Sequence, residues 1–261
     1  MSRLIVFDSG VGGLSVAAEI RRQLPGAEII YVADDNGFPY GNREEGELCD
    51  HVVGVVGGLI GEFDPHAVVI ACNTASTLVL QSLRERFSIP FVGTVPAIKP
   101  AAARTKSGLV SVLATVGTIQ RDYTRDLIRS FAQSCDVRLV GSARLAPLAE
   151  AFMCGMAIDE AAVEAEIAPA FVEDGDRRTD TVVLACTHYP FLGEHFRRLA
   201  PWQVDWIDPA PAIARRVVAV VEEDDCGGRM PSGNAIWTSG RSPPLALLPL
   251  LERLDLRSSE G

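Results

Sequence analysis

One short pattern occurs twice in this chain and limits what the chain can become. Val68-Val69-Ile70-Ala71-Cys72-Asn73-Thr74 is echoed by Val182-Val183-Leu184-Ala185-Cys186-Thr187-His188, with the cysteines 114 residues apart. In each copy four apolar residues end at Cys, small or polar residues follow, and a helix-like stretch comes next. Continuous apolar runs of this length suit parallel strands buried on both faces. A weaker echo pairs residues 4–9 with residues 110–115. Two α/β units arranged as a pseudo-repeat are therefore predicted.

The rest of the chain has the same rhythm. Strands are predicted at 4–7, 28–32, 67–71, 91–93, 109–114, 137–141, 181–185 and 204–207. Helical periodicity falls between them, at 14–23, 45–63, 75–86, 123–131, 160–172 and 212–223. This alternation predicts an α/β fold of two Rossmann-like domains, each a parallel sheet covered by helices. Proline-containing crossings at 95–100 and 207–211 divide the chain. Residues 1–96 with 209–261 form the expected first domain, which holds Cys72; residues 97–208 form the second, which holds Cys186. A strand at 235–240 and an apolar helix near 246–254 are expected to return to the first domain. The Gly- and Pro-containing loop 225–234 is expected to be mobile.

Charge and cysteine usage exclude several classes. A net charge of −10 repels phosphate backbones, so nucleic acid is not the expected partner. A small anionic substrate would have to be held by local backbone N–H groups. No run approaches the roughly 20 apolar residues of a membrane span, and Met1-Ser2-Arg3 leads straight into a strand-like stretch. A cytoplasmic location is expected, with its thiols reduced. None of Cys49, Cys72, Cys135, Cys154, Cys186 and Cys226 lies in a CxxC pair, and only four histidines are present, so no zinc site is expected.

Ligand sites of open α/β sheets lie at the carboxyl ends of strands, where both repeated cysteines fall. A thiol at a helix N-terminus gains stabilisation of its thiolate from the dipole and free N–H groups. One buried Cys reads as a small hydrophobe; two in matching settings read as chemistry. The turn Asp8-Ser9-Gly10-Val11-Gly12-Gly13 lacks both the P-loop ending and GxGxxG spacing. It reads as a backbone anion site with Asp8 and Ser9 at its mouth, or as a tight capped turn. Residues 34–42 are too apolar at Phe38 and Tyr40 for a solvated loop alone; Pro39 and Gly41 fix the turn, and Tyr40 can lean into a pocket. His188 stands beside a candidate acid/base thiol. Glu150, in an apolar stretch, reads by itself as a helix surface charge.

At these residues the chain resembles the aspartate/glutamate racemase superfamily, and within it the glutamate racemases. The matching motifs are FDSGVGGLSV at 7–16, FPYG at 38–41, VVIACNTAS at 68–76 and VVLACTHYPFL at 182–192. The resemblance implies two pseudo-symmetric domains with the site between them. It implies interconversion of L- and D-glutamate for peptidoglycan synthesis, with Cys72 and Cys186 as the acid/base pair. It implies that Cys72 serves the D-enantiomer's face and Cys186 the L-enantiomer's. Asp8, Ser9, Tyr40, Gly41, Asn73, Thr74, Thr187 and His188 are implied to contact substrate or assist the thiols, Asp8 and His188 catalytically. Glu150 matches a position that supports the second Cys, and Thr115 and Thr118 match positions near the substrate carboxylate. Residues 35–37 and 96–100 depart from the commonest family versions.

Two thiols suit racemisation, because the α-proton leaves one face of a planar carbanion and a proton returns on the other. A free thiol, with a pKa of roughly 8.5, is easily poised for both tasks. Hydrogen bonds to the substrate carboxylate would stabilise the carbanion. Nothing in the sequence requires a metal or organic cofactor. The motifs contain no Arg or Lys, so backbone N–H groups and hydroxyls are expected to meet the substrate's charges. Racemisation of aspartate, a non-catalytic binding role and a thiol-redox role stay open alternatives. Oligomeric state also stays open, with a homodimer as the candidate assembly.

Overall fold

The structure, a computed structural model, describes residues 2–221 and 232–258. In chain order the first part comprises β1 (Arg3–Asp8), α1 (Leu14–Gln23), β2 (Glu28–Ala33), α2 (Glu45–Phe63), β3 (Ala67–Ile70), α3 (Asn73–Arg86) and β4 (Phe91–Gly93). After a crossing come α4 (Ile98–Arg104), β5 (Leu109–Thr115), α5 (Val116–Gln120), α6 (Asp122–Phe131), β6 (Asp136–Ser142), α7 (Leu145–Met153) and α8 (Glu160–Ile167). A small antiparallel hairpin, β7 (Glu173–Asp174) and β8 (Arg177–Arg178), precedes β9 (Thr181–Ala185), α9 (Gly193–Leu199) and β10 (Asp205–Ile207). The chain ends with α10 (Ala210–Val218), β11 (Gly233–Trp237), α11 (Leu248–Arg253) and β12 (Leu256–Ser258).

Two parallel sheets result. One has six strands in the order β12-β11-β2-β1-β3-β4, the other four in the order β10-β9-β5-β6. The run β2-β1-β3-β4 matches β6-β5-β9-β10 slot for slot. The weaker sequence echo, residues 4–9 with 110–115, is β1 with β5, the strands between the Cys-bearing strand and its opposite neighbour in each sheet.

Burial explains why the central strands β1, β2, β3, β5 and β9 are apolar with little alternation. In the first sheet Leu4, Val6, Tyr31 and Val69 face a core closed by Leu14, Ile20, Ile213 and Val217. Their neighbours Ile5, Phe7, Val32 and Ile70 face the other core, closed by Leu48, Val52, Val79 and Leu83. In the second sheet Leu113 and Leu184 meet Val163 and Phe196, while Val112 and Val183 meet Ile98. Each such fully buried side chain contributes roughly 1.5–3 kcal/mol, so a polar residue on either face would be costly.

Element ends differ from the sequence reading where local chemistry intervenes. The helix expected over 160–172 stops at Ile167 and yields to one 3-10 turn, Ala168–Ala170. Pro169 has no N–H to continue the α-helical ladder. The helix expected from 75 starts at Asn73, which makes Cys72 itself its N-cap. The helix expected over 212–223 runs Ala210–Val218. Of the loop 225–234, residues 225–231 lie outside the described residues, as does Cys226. Gly233 and Asn234, expected in that loop, pair in β11. Among the described residues no helix is long and apolar enough to cross a membrane.

Candidate active site

Cys72 and Cys186, both buried, line one cavity, one arriving from each sheet. Cys72 follows β3 and caps α3 in extended conformation; its thiol points to Ser9 Oγ at 3.7 Å. Cys186 follows β9, but no α-helix starts there. Tyr189–Leu192 forms a 3-10 turn with Pro190 in its first turn, and α9 starts only at Gly193. The helix-terminus argument therefore applies to Cys72 and fails for Cys186. What Cys186 has instead is His188 Nδ1, 3.8 Å from its sulfur.

Ser9, Tyr40, Gly41, Asn73, Thr74, Thr115, Thr187 and His188 line the same cavity. Asp8, Thr118 and Glu150 do not line it; they stand behind and bond to residues that do. Sequence reasoning singled out Phe38 and Pro39 in the 38–41 turn without placing them in the site, and missed the wall made by Val116, Ser142, Ala143, Ala146 and Pro147. Most of that wall follows the carboxyl end of β6, so the strand-end rule already applied to the cysteines could have found it. Ser142 Oγ is committed: it donates to Glu166 Oε2 at 2.6 Å and accepts from Leu145 N at 2.9 Å, fixing the start of α7.

The Gly-rich turn corrects an expectation. Two of its N–H groups, those of Gly10 and Val11, are not open to an external anion, because the protein's own carboxylates take them. Glu150 Oε2 accepts from Val11 N at 3.0 Å, and Asp8 Oδ1 accepts from Gly10 N at 3.0 Å. The glycines are required by close approach rather than by phosphate. A Cβ on Gly10 would lie 2.7 Å from Glu150 Oε2, and one on Gly12 2.4 Å from His188 Nδ1. Glu150 is thus no solvated helix charge. It ties the turn to His188, whose Nε2 donates to Oε2 at 2.7 Å.

Electrostatics differ between the two thiols. Burial pulls the His188 imidazole down, but its hydrogen bonds to Cys186 and Glu150 outweigh this and hold it well above the usual histidine range. Beside the other thiol, burial pushes the Asp8 carboxyl up to about 6, against the opposing effects of His188, Thr187 and the Gly10 N–H. Burial, reinforced by Asp8, pushes the Cys72 thiol up to about 12. At Cys72 desolvation therefore beats the helix terminus, and this thiol is protonated at neutral pH.

Hydroxyls bridge the two halves. Thr74 Oγ1 lies 2.9 Å from Thr115 Oγ1 and 3.3 Å from Thr118 Oγ1, and those two are 3.0 Å apart. Thr187 Oγ1 donates to Asp8 Oδ2 at 2.9 Å. Asn73 Nδ2 reaches Thr94 Oγ1 at 3.5 Å, while Asn73 Oδ1 is buried without a protein partner. Among the described lining residues none is Arg or Lys. Among the described residues no group of three or more His, Cys, Asp or Glu is placed to hold a metal ion.

Comparison with known proteins agrees with this geometry. The sequence profile of the Asp/Glu/Hydantoin racemase family matches residues 13–217. Glutamate racemase from Brucella anthropi is 57% identical over 256 residues, covering 97% of this chain and 92% of its own. Escherichia coli glutamate racemase, in a crystal structure with L-glutamate and the activator UDP-MurNAc-Ala, matches with TM-score 0.89 at 40% identity, over 98% of this chain and 96% of its own. Glutamate racemase isoform RacE1 from Bacillus anthracis matches with TM-score 0.77 at 31% identity, over 97% and 93%.

Proposed function

The chain belongs to the Asp/Glu/Hydantoin racemase family, and on that premise we propose that it interconverts L- and D-glutamate by proton transfer through Cys72 and Cys186. It is an isomerase and supplies D-glutamate for peptidoglycan synthesis, a role that follows from the family. The observation that carries the two-thiol reading is that equivalent strands of two sheets bring both sulfurs to one cavity.

Starting from L-glutamate, Cys186 removes the α-proton as thiolate, with the protonated His188 beside it and Glu150 holding that imidazole. Cys72, protonated at rest, delivers a proton to the opposite face. Starting from D-glutamate the roles reverse: Asp8 accepts the Cys72 proton so that this thiolate takes the α-proton, and Cys186, protonated by the His188 imidazolium beside it, delivers a proton to the opposite face. Ser9, Asn73, Thr187 and the Thr74–Thr115–Thr118 cluster meet the substrate's charged groups, with Tyr40 and Gly41 closing the cavity. Hydrogen bonds aimed at the substrate carboxylate stabilise charge that develops there in the transition state.

Residues 1–96 with 209–261 and residues 97–208 act as two domains that enclose the substrate. The enzyme works in the cytoplasm, as a homodimer. Chiral chromatography after incubation in deuterated water tests the activity. Either glutamate enantiomer should yield the other with deuterium at Cα, while aspartate stays unchanged. Faster racemisation of aspartate would replace glutamate as the substrate, and no exchange with either would favour a non-catalytic role.

A further inference from the structure

A second polar cluster lies behind the cavity wall and takes no part in proton transfer. Its centre is Asp34, which directly follows β2 and is buried, with a relative side-chain exposure of 1%. Its backbone is pinned by Asp34 N donating to Asp8 O at 2.8 Å. Three side chains donate to its carboxylate. Thr238 Oγ1 reaches Oδ1 at 2.6 Å; the Tyr40 hydroxyl and His51 Nε2, at 2.6 Å, share Oδ2. A carboxylate engaged this way only accepts, so the His51 proton sits on Nε2.

What Asp34 holds is a turn that lines the cavity. Tyr40 and Gly41 line the cavity, and the Phe38 ring lies 5.6 Å from the His188 ring, centroid to centroid. A Cβ on Gly41 would meet the Thr115 side chain at 3.2 Å. The turn thus touches both the His188 side and the threonine cluster. Gly37 records how closely the group packs: a Cβ there would lie 2.4 Å from Asp34 Oδ2 and 2.9 Å from His51 Nε2. His51 comes from α2, which packs on the first sheet, and its side chain is 27% exposed.

We infer that His51 is a positioning residue for glutamate binding: by donating to Asp34 it fixes Tyr40, and through Tyr40 the 38–41 turn, against the cavity. This rests on the glutamate racemase reading above. His51 never touches substrate. Its removal leaves both thiols, His188 and Glu150 in place, and loosens only the turn. The signature is therefore a rise in KM with little change in kcat.

The test compares His51→Ala, His51→Phe and His51→Gln in the full chain. Gln keeps a donor at the reach of Nε2, Phe keeps the ring without a donor, and Ala keeps neither. Ala and Phe should raise KM for both glutamate enantiomers about tenfold, as loss of a hydrogen bond to a charged group implies. Their kcat should stay within about twofold of the parent, and Gln should restore KM. Hydrogen exchange of the peptide spanning 36–43 gives a readout independent of activity. It should speed up in Ala and Phe and return to the parent rate in Gln. Parent KM and parent exchange in the Ala variant would overturn the inference. So would a fall in kcat that follows a fall in melting temperature, because that marks a structural role alone. If the parent enzyme fails to racemise glutamate, the functional reading falls, while the exchange experiment still decides whether His51 holds the turn.

Discussion

His188 Nε2 donates to Glu150 Oε2 at 2.7 Å, joining two residues 38 positions apart on the side of the cavity that holds Cys186. The same oxygen accepts from Val11 N at 3.0 Å, so one carboxylate serves the imidazole and the Gly-rich turn together. Glu150→Gln keeps one oxygen for the two donors that already share Oε2 but removes the charge that helps hold His188 up. We predict a fall in kcat/KM of about 10- to 100-fold, the cost of a lost charge-assisted hydrogen bond. Both directions must lose the same factor, because the enantiomers have equal free energy in water. The imidazolium is lost at lower pH once its partner is neutral, so the basic limb of the kcat/KM profile should move down in pH. Circular dichroism of racemisation across pH checks this. An unmoved limb would mean that Glu150 does not tune His188.

Gly12→Ala isolates the demand for close approach. The added Cβ would sit 2.4 Å from His188 Nδ1 and 2.5 Å from Thr187 Oγ1, so His188 or the turn must shift. Overpacking of this kind costs about 1–3 kcal/mol. The expected outcome is at least a hundredfold loss of activity with the fold retained. Gly54→Ala is the control. Nothing lies within 4 Å of its Cβ, on an exposed position of α2. It should stabilise by roughly 0.5–1 kcal/mol and leave activity unchanged. Equal activity of the two variants in a steady-state assay would contradict this.

Asp8→Asn should trade activity for stability. Burial raises the folded-state pKa of Asp8 from 3.8 to about 6. A raised carboxylate pKa contributes stability below the unfolded value, and that stability is lost as pH rises through about 6. The aspartate form therefore loses about 3 kcal/mol, to order of magnitude, between pH 4 and pH 7 that an asparagine form keeps. Denaturant titrations of both proteins should show the gap growing over that window, with Asn the more stable. A constant gap would mean that Asp8 ionises normally in the folded chain. Racemisation should fall, because the proton acceptor for Cys72 is gone.

Much of this was legible in the sequence, and for physical reasons. Strands buried on both faces must be continuously apolar, so β3 and β9 were visible as runs ending at Cys72 and Cys186. What stayed hidden depended on contacts across the chain. Glu150 looked like a surface charge because its partners, Val11 and His188, lie 139 and 38 residues away. The Gly-rich turn looked like an anion site because its anion is supplied by the protein. The expected second helix terminus failed because the chain makes a 3-10 turn through Pro190 before α9 begins. Asp34 and His51 drew no notice, since nothing local indicates that a loop carboxylate is buried beneath Tyr40.

The central claim is that Cys72 and Cys186 each serve one face of the α-carbon. The most direct measurement uses Cys72→Ala and Cys186→Ala with a glutamate analogue whose leaving group departs after deprotonation, supplied as each enantiomer. Removing one acid/base partner should abolish full racemisation in both directions, a loss of about 10²–10⁴-fold or more. Each variant should still eliminate from the enantiomer that faces its remaining thiol. The account predicts that Cys72→Ala works on the L-analogue and Cys186→Ala on the D-analogue. Near-normal racemisation of glutamate by either variant, or the same enantiomer preference in both, would contradict it.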